Sequence, residues 1–423
     1  MWKINRLFLF GLTIIMFGMA SCDRDIYDEE KYKEIIRYLS PVDSVDQRQT
    51  WSLTVFRSYR LTADAGSDIE SVKVFTENPL TSSSAELMNQ TSISQGKTVA
   101  LSVSVPSITT TLYAALVDKS GKYYVTPFDV NTANVSFVNA TEGRPVDTIT
   151  PQTFTYLFEE DFPEPGDYDY NDLVLRISQE RTGKKELTIN VTIAAVGGVY
   201  QMAGGIHLVG YEYKDIDSVK TVSGTTFNDG VPSGSLYIFD KTDNLIEGRN
   251  HEAIVNLFVD AHWAMAFNVS VDYGLFKRKK YNVSTGIDDN HQLRATRTIS
   301  YVVYFASEEG LDNFTMDSLD PFIITEYTGV RMETHLDKYR DAQVLFEYPT
   351  PDIKDLPWAL MVPMKEFAYP LEGVELGFRK KTSTGEVAMF GAYVTIGHSF
   401  GEWAENYLSS LDWYKYPDGR SVW

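Results

Sequence analysis

Asp161-Phe-Pro-Glu-Pro-Gly-Asp-Tyr-Asp-Tyr-Asn-Asp-Leu-Val-Leu175 joins a dense acidic turn to an apolar strand. Asp167, Asp169, Asn171 and Asp172 place four hard oxygen side chains within six positions, directly after a Pro-Gly turn signal. Oxygens crowded in this way repel one another in a folded chain unless a cation or ample water lies between them. Calcium suits such a site, because it accepts about six to eight oxygen ligands in irregular geometry. The expectation is therefore a calcium held by Asp167, Asp169, Asn171 and Asp172, with water, backbone carbonyls or distant carboxylates completing the shell. The spacing is not that of an EF-hand. Counting Asp167 as the first position, the sixth is Asp172 where glycine is needed and the twelfth is Ser178 where glutamate is needed. The competing reading is a solvated acidic turn ahead of a strand.

Working outward, strand patterns dominate. Leu173 to Ile177, Leu187 to Ile193, Thr298 to Phe305, Pro321 to Thr325, Val374 to Phe378 and Ala392 to Ile396 are short apolar or alternating runs. One helix is expected from Phe400 to Leu411. Upstream, Trp51 to Tyr59, Val72 to Thr76, Thr98 to Val105, Leu112 to Val117 and Tyr123 to Thr126 are strands at regular intervals, with turn residues such as Lys119-Ser-Gly-Lys122 between them. The fold class is all-β: an immunoglobulin-like sandwich over 49–145, then a larger β-sandwich or jelly roll over 150–423. The polar, Pro- and Gly-containing stretch Thr141 to Pro151 marks the boundary.

The acidic turn also carries a resemblance. Phe158-Glu-Glu-Asp-Phe-Pro163 and Gly166-Asp-Tyr-Asp-Tyr-Asn-Asp-Leu-Val174 resemble the opening signature of the LruC-domain family. Asp320-Pro-Phe-Ile-Ile-Thr325, Glu333-Thr-His-Leu336, Pro357-Trp-Ala-Leu360, Phe367-Ala-Tyr-Pro370, Trp403-Ala404 and Asp412-Trp-Tyr414 follow in the family's order, over roughly 150–416. The sequence departs from the pattern at Asp320 and Thr334. The resemblance implies an all-β extracytoplasmic module, often found on bacterial surface lipoproteins, with no established activity.

The N-terminus gives an address. Lys3 and Arg6 precede an apolar run from Leu7 to Met19, which is too short to span a bilayer and ends at Ala20-Ser21-Cys22. Residues 1–21 read as a lipoprotein signal peptide, and Cys22, the sole cysteine, as the lipidation site. Several acyl chains there would anchor the protein stably. With no other cysteine, the mature chain has no internal disulfide. Residues 22–48 form an acidic tether, opening with Asp23-Arg-Asp-Ile-Tyr-Asp-Glu-Glu30; a short helix is expected over Lys31 to Leu39. The acidic start resembles signals that export lipoproteins to the outer face, so the expected location is the outer membrane, facing the exterior. The formal charge of −20 over 423 residues argues against nucleic acid as a partner, since phosphate binding needs clustered Lys and Arg.

Gly397-His-Ser-Phe-Gly401 matches the nucleophile elbow, but no histidine follows His398 to serve Ser399, and the strand-helix alternation of that fold is missing. The six histidines show no paired metal spacing. Gly197-Gly198 and Gly204-Gly205 read as backbone crowding or bulges in a sheet. The closing aromatics Trp403, Tyr407, Trp413, Tyr414 and Tyr416 are able to stack sugars, although core packing is their commoner use. No catalytic residues are expected. The functional expectation is a surface-anchored calcium-binding lipoprotein for binding or adhesion, with a glycan, host or matrix protein as ligand. A structural part of a surface assembly, or a polysaccharide-acting enzyme, are the alternatives.

Overall fold

The computed structural model describes residues 44–231, 245–248, 251–266, 278–308, 311–327, 329–348, 356–381 and 384–423. Cys22, the acidic tether up to residue 43 and the helix expected over Lys31 to Leu39 lie outside them. Among the described residues the chain is nearly all β, with two six-residue α-helices, Ala261–Ala266 and Phe400–Glu405.

The first unit packs a three-stranded sheet (Thr98–Pro106, Thr54–Thr62, Asn134–Ser136) on a six-stranded one. The order in the latter is Thr141–Gly143, Tyr123–Asp129, Thr111–Asp118, Ile69–Phe75, Glu86–Ser92, Thr150–Pro151. Alternating side chains such as Tyr59, Leu61, Val72, Val74, Leu101 and Val103 fill the space between them. The two polar segments at 141–143 and 150–151 still pair into this unit, so the chain leaves it only after Pro151.

The second unit is a sandwich covered by a third layer. Its antiparallel six-stranded sheet runs Ile216–Thr221, Arg297–Phe305, Glu186–Ala195, Leu173–Arg181, Thr153–Phe158, Ala359–Val362. Its five-stranded sheet runs Ile246–Glu247, Glu252–Phe258, Ala203–Glu212, Leu319–Tyr327, Val330–Thr334. Leu173, Leu175 and Ile177 face the core between the sheets, while Val174 faces the other way. Both faces of Leu173–Arg181 are covered, which is why its sequence opens as a nearly unbroken apolar run.

The covering layer is the aromatic C-terminal region. Tyr369, Tyr393, Phe400, Trp403 and Trp413 are buried there, joined by Trp51 and Leu53 from ahead of the first unit. Trp51 meets Trp403 edge-on at 5.3 Å, and the Asp46 N–H donates to the Ala404 carbonyl at 3.0 Å. The helix expected to reach Leu411 stops at Glu405: Asn406 is already extended (φ −147°), and Ser409 Oγ then donates to the Glu402 and Asn406 carbonyls. Val374 to Leu376 and Ala392 also pack in this layer without extending strands; Phe378–Lys381 pairs with Val387–Phe390, and Val394–Thr395 with His398–Ser399.

Polar contacts join the two units. Asn89 Nδ2 donates to the Phe314 carbonyl at 2.8 Å, Thr91 Oγ1 to Asp312 Oδ1 at 2.7 Å and Thr54 Oγ1 to Asp317 Oδ1 at 3.1 Å. Arg181 closes an ion pair with Asp312.

Candidate metal centre

Strand Thr153–Phe158 ends in two consecutive glutamates, Glu159 and Glu160, and both are buried. The Glu159 N–H still donates to the Trp358 carbonyl at 2.8 Å, so the strand's pairing fixes where its side chain starts. The acidic turn then folds back over it. Tyr168 (φ 61°) and Tyr170 (φ 54°) are both left-handed, a conformation that costs roughly 1–3 kcal/mol each for a side chain of this size. Packing holds them there. The Tyr170 hydroxyl donates to the Pro357 carbonyl at 2.6 Å, and the Tyr168 ring meets Phe378 edge-on at 5.7 Å.

With the tyrosine rings taken by their neighbours, Asp167 and Asp169 converge on Glu159. One oxygen from each of the three carboxylates lies within 4.8 Å of the others. Two ligands of one calcium, each about 2.3–2.6 Å from it, are separated by no more than about 5 Å. Asp169 is also tied down: Oδ1 accepts the Asn171 N–H at 3.1 Å and Oδ2 the Gly373 N–H at 2.8 Å. Glu159 Oε1 accepts the Tyr170 N–H at 2.6 Å, while its Oε2 is buried with no hydrogen-bond partner. Asn171 repeats the pattern. Its Nδ2 donates to the Pro370 carbonyl at 3.2 Å, and its Oδ1 is buried without a partner. Buried acceptors left unmade in this way are rare and need an explanation.

Glycines make the room. A Cβ on Gly166 would stand 1.9 Å from Glu159 Oε2, one on Gly197 2.0 Å from Asn171 Oδ1, and one on Gly198 2.1 Å from Glu160 Oε2. A cavity of about 10 Å³ lies on the other side of Glu159, lined by Pro165, Gly166, Tyr168, Leu356, Pro357 and Trp358 and by neither Asp167 nor Asp169. That is space for a single water-sized occupant.

Asp172 and Glu160 form a neighbouring pair rather than joining the trio. Asp172 Oδ2 accepts the Glu160 N–H at 2.8 Å, and Glu160 Oε1 accepts the Val199 N–H at 2.5 Å and the Tyr200 N–H at 3.1 Å. The structure thus brings together Asp167 and Asp169 of the four expected ligands, turns the Asn171 side-chain oxygen toward Gly197, and gives Asp172 a turn-holding contact. Glu159 and Glu160 were absent from the expected set.

The electrostatics of this cluster are unfavourable to charge. Burial, then the neighbouring Asp169 and Asp167, pushes the Glu159 carboxyl well above the usual carboxylate range. Burial and Asp167 do the same to Asp169, and burial and Glu160 to Asp172. Burial lifts Glu160 to about 8 and Asp161 to about 6. Lys280, ion-paired with Glu372, is a cation close to Asp172 and Asp169. A divalent cation within the cradle would reverse this penalty.

A second buried polar cluster sits on the other sheet. His335 is fully buried, with Nδ1 at 2.7 Å from Asp320 Oδ2 and Nε2 at 3.0 Å from Glu333 Oε2. Phe322 stacks on its ring at 4.7 Å. Glu333 also accepts the N–H groups of Val344 (2.7 Å), Leu345 (2.6 Å) and Phe346 (2.9 Å). Burial alone favours the neutral ring, but Asp320 and Glu333 outweigh it and push His335 up to about 9. This cluster fixes a loop to a strand.

The other motifs resolve into packing. Ser399 is buried and N-caps helix Phe400–Glu405: its Oγ accepts the Glu402 N–H at 3.2 Å and donates to Glu402 Oε2 at 2.9 Å. The Gly-x-Ser-x-Gly match is therefore a capping box. Trp403, Trp413 and Tyr414 are buried in the aromatic layer, so they offer no face to a sugar. Gly204 does sit at a bulge, with Phe258 packed where its side chain would be.

Residues 185–379 match the family model of a domain of unknown function, DUF4842. A crystal structure from Bacteroides ovatus, described there as that of a candidate lipoprotein, is similar with a TM-score of 0.48 and 14% identity. The similarity covers 85% of this chain and 99% of that one. No curated protein matches the chain.

Proposed function

We propose that the chain is a surface-anchored, calcium-binding lipoprotein whose work is binding or adhesion, with a glycan or a host or matrix protein as ligand, and that it is not an enzyme. The observation that carries the calcium reading is the buried, unpartnered Glu159 Oε2 meeting Asp167 and Asp169 in a cradle that only glycine leaves open. Glu159, Asp167 and Asp169 are the proposed carboxylate ligands, Asn171 contributes through Oδ1, and Asp172 holds the turn. Calcium is favoured over magnesium because magnesium demands near-octahedral geometry and keeps most of its water. The anchor reading rests on the apolar run ending at Cys22, and the LruC-type resemblance supports a surface location on the outer membrane. The extracellular setting is rich in calcium and needs no disulfide if the cation performs the cross-link.

Two measurements test this. Equilibrium dialysis of the full chain at neutral pH should find calcium bound, and Glu159→Gln should weaken it. Dialysis that finds none removes the metal reading. Separately, Cys22→Ala should move the protein from the membrane fraction to the soluble one; retention in detergent-free membranes would place the anchor elsewhere.

A further inference from the structure

We propose that a cleft at one end of the second sandwich, beside the first unit, binds a neutral saccharide. This rests on the glycan form of the reading above and assigns that ligand a place.

The cleft has a volume of about 450 Å³. Small-molecule sites span roughly 300–1,000 Å³. It opens where strand Ala203–Glu212 outruns its partners. Pairing with Leu319–Tyr327 ends at Leu208, and the register with Glu252–Phe258 slips between His207 and Glu212. Gly210, left-handed at φ 85°, lies within the slip. The slip leaves Tyr211 half-buried as one wall of the cleft, its ring fixed edge-on to Phe305 at 5.1 Å and against Phe314 at 5.6 Å. Asp215, Ser307, Asn313 and Ser318 complete the lining.

The lining selects a chemical class. It offers one carboxylate, one amide and two serine hydroxyls beside the Tyr211 and Phe305 rings, and no Lys, Arg or His. Phosphate, sulfate and carboxylate ligands are recognised by cations, so an anionic ligand finds no partner. A purely apolar ligand would strip water from Asp215 and Asn313 without replacing it. A neutral polyhydroxylated ring satisfies both halves: its C–H face lies on the aromatic ring and its hydroxyls meet the carboxylate and amide. Both polar groups are already oriented. Asp215 Oδ2 accepts the Glu212 N–H at 2.9 Å, and Asn313 Oδ1 accepts from Ser102 Oγ of the first unit at 3.1 Å. The first unit thus holds one of the sugar-facing groups in position.

The test is calorimetric titration of the full chain, in calcium-containing buffer, with neutral gluco-, galacto-, manno- and xylo-oligosaccharides. At least one should bind, and both Tyr211→Ala and Ser307→Trp should weaken it by about tenfold or more. Ser307 is exposed, so Ser307→Trp fills the cleft without disturbing the core and should melt with the parent. Binding that survives both variants overturns this cleft and leaves the glycan reading standing. Absence of binding to every sugar overturns both.

Discussion

Excess chelator should lower the melting temperature of the full chain by several degrees, and Asp169→Ala should abolish the difference between chelated and calcium-loaded protein. A ligand that binds only the native state adds about 2.7 kcal/mol at a hundredfold excess over its dissociation constant. For a domain of this size each kcal/mol moves the transition by roughly 2–4 °C. The pH dependence has a definite sign. Burial and neighbouring acids raise the folded-state pKa of Glu160 to about 8 and of Asp161 to about 6, and drive Glu159 and Asp169 well upward. A carboxylate whose folded pKa is raised contributes stability only while protonated, so that contribution is present below the unfolded value and lost as pH rises through the folded one. Calcium competes with those protons. The stabilisation it adds should therefore be larger at pH 8 than at pH 5.5. Melting curves that overlay with and without chelator, on protein that takes up no calcium, would leave the solvated acidic turn as the better account.

His335→Ala should destabilise the protein by about 3–5 kcal/mol, the range for breaking a buried charge network and stranding its partners. Asp320 and Glu333 would then be buried without their shared cation. A second readout separates this from simple loss of packing against Phe322. His335 is raised from 6.5 to about 9, so its contribution is complete below pH 6.5 and is lost as pH rises through 9. Urea titrations of the parent in saturating calcium should show stability falling between pH 6.5 and 9, by an amount on the order of 3 kcal/mol. The variant should show a shallower fall over that window, the remainder coming from Glu160 and His207. An equal alkaline loss in both proteins would mean that the proton is not held between those two carboxylates.

The sequence carried the strand pattern well, because a period of two is local and each sheet face is covered by alternating residues. It carried part of the acidic cluster. Asp167 and Asp169 stand out by density alone. Glu159 and Glu160 sit at the end of a strand, and their role depends on a turn that folds back over eight residues. The nearest local signal was the pair of acids closing an apolar strand, with Gly197-Gly198 far downstream. Those two glycines read as crowding in a sheet; in the structure the crowding partner is the acidic cluster itself. The aromatic tail was ambiguous for a similar reason. Trp403 and Trp413 are buried because the six-stranded sheet has a second apolar face, and nothing near them in sequence reveals that face. Strand Ala203–Glu212 escaped notice because its glycines and its slipped register break the alternation that marks its neighbours.

The insertion of Trp51 beside Phe400 and Trp403 has a mechanical consequence. Residues 45–53 join the C-terminal layer before the chain departs to build the first unit, and Trp423 closes onto Tyr369 in the same layer. Tension applied at residue 44 is therefore borne in the C-terminal layer, by wedged indole rings and the Asp46–Ala404 bond. The first unit hangs outside this load path, as an outrigger. If the chain is anchored at Cys22 as proposed, a pull on that anchor would strain the aromatic wedge while leaving the first unit, and the junction it shares with the second, under little force.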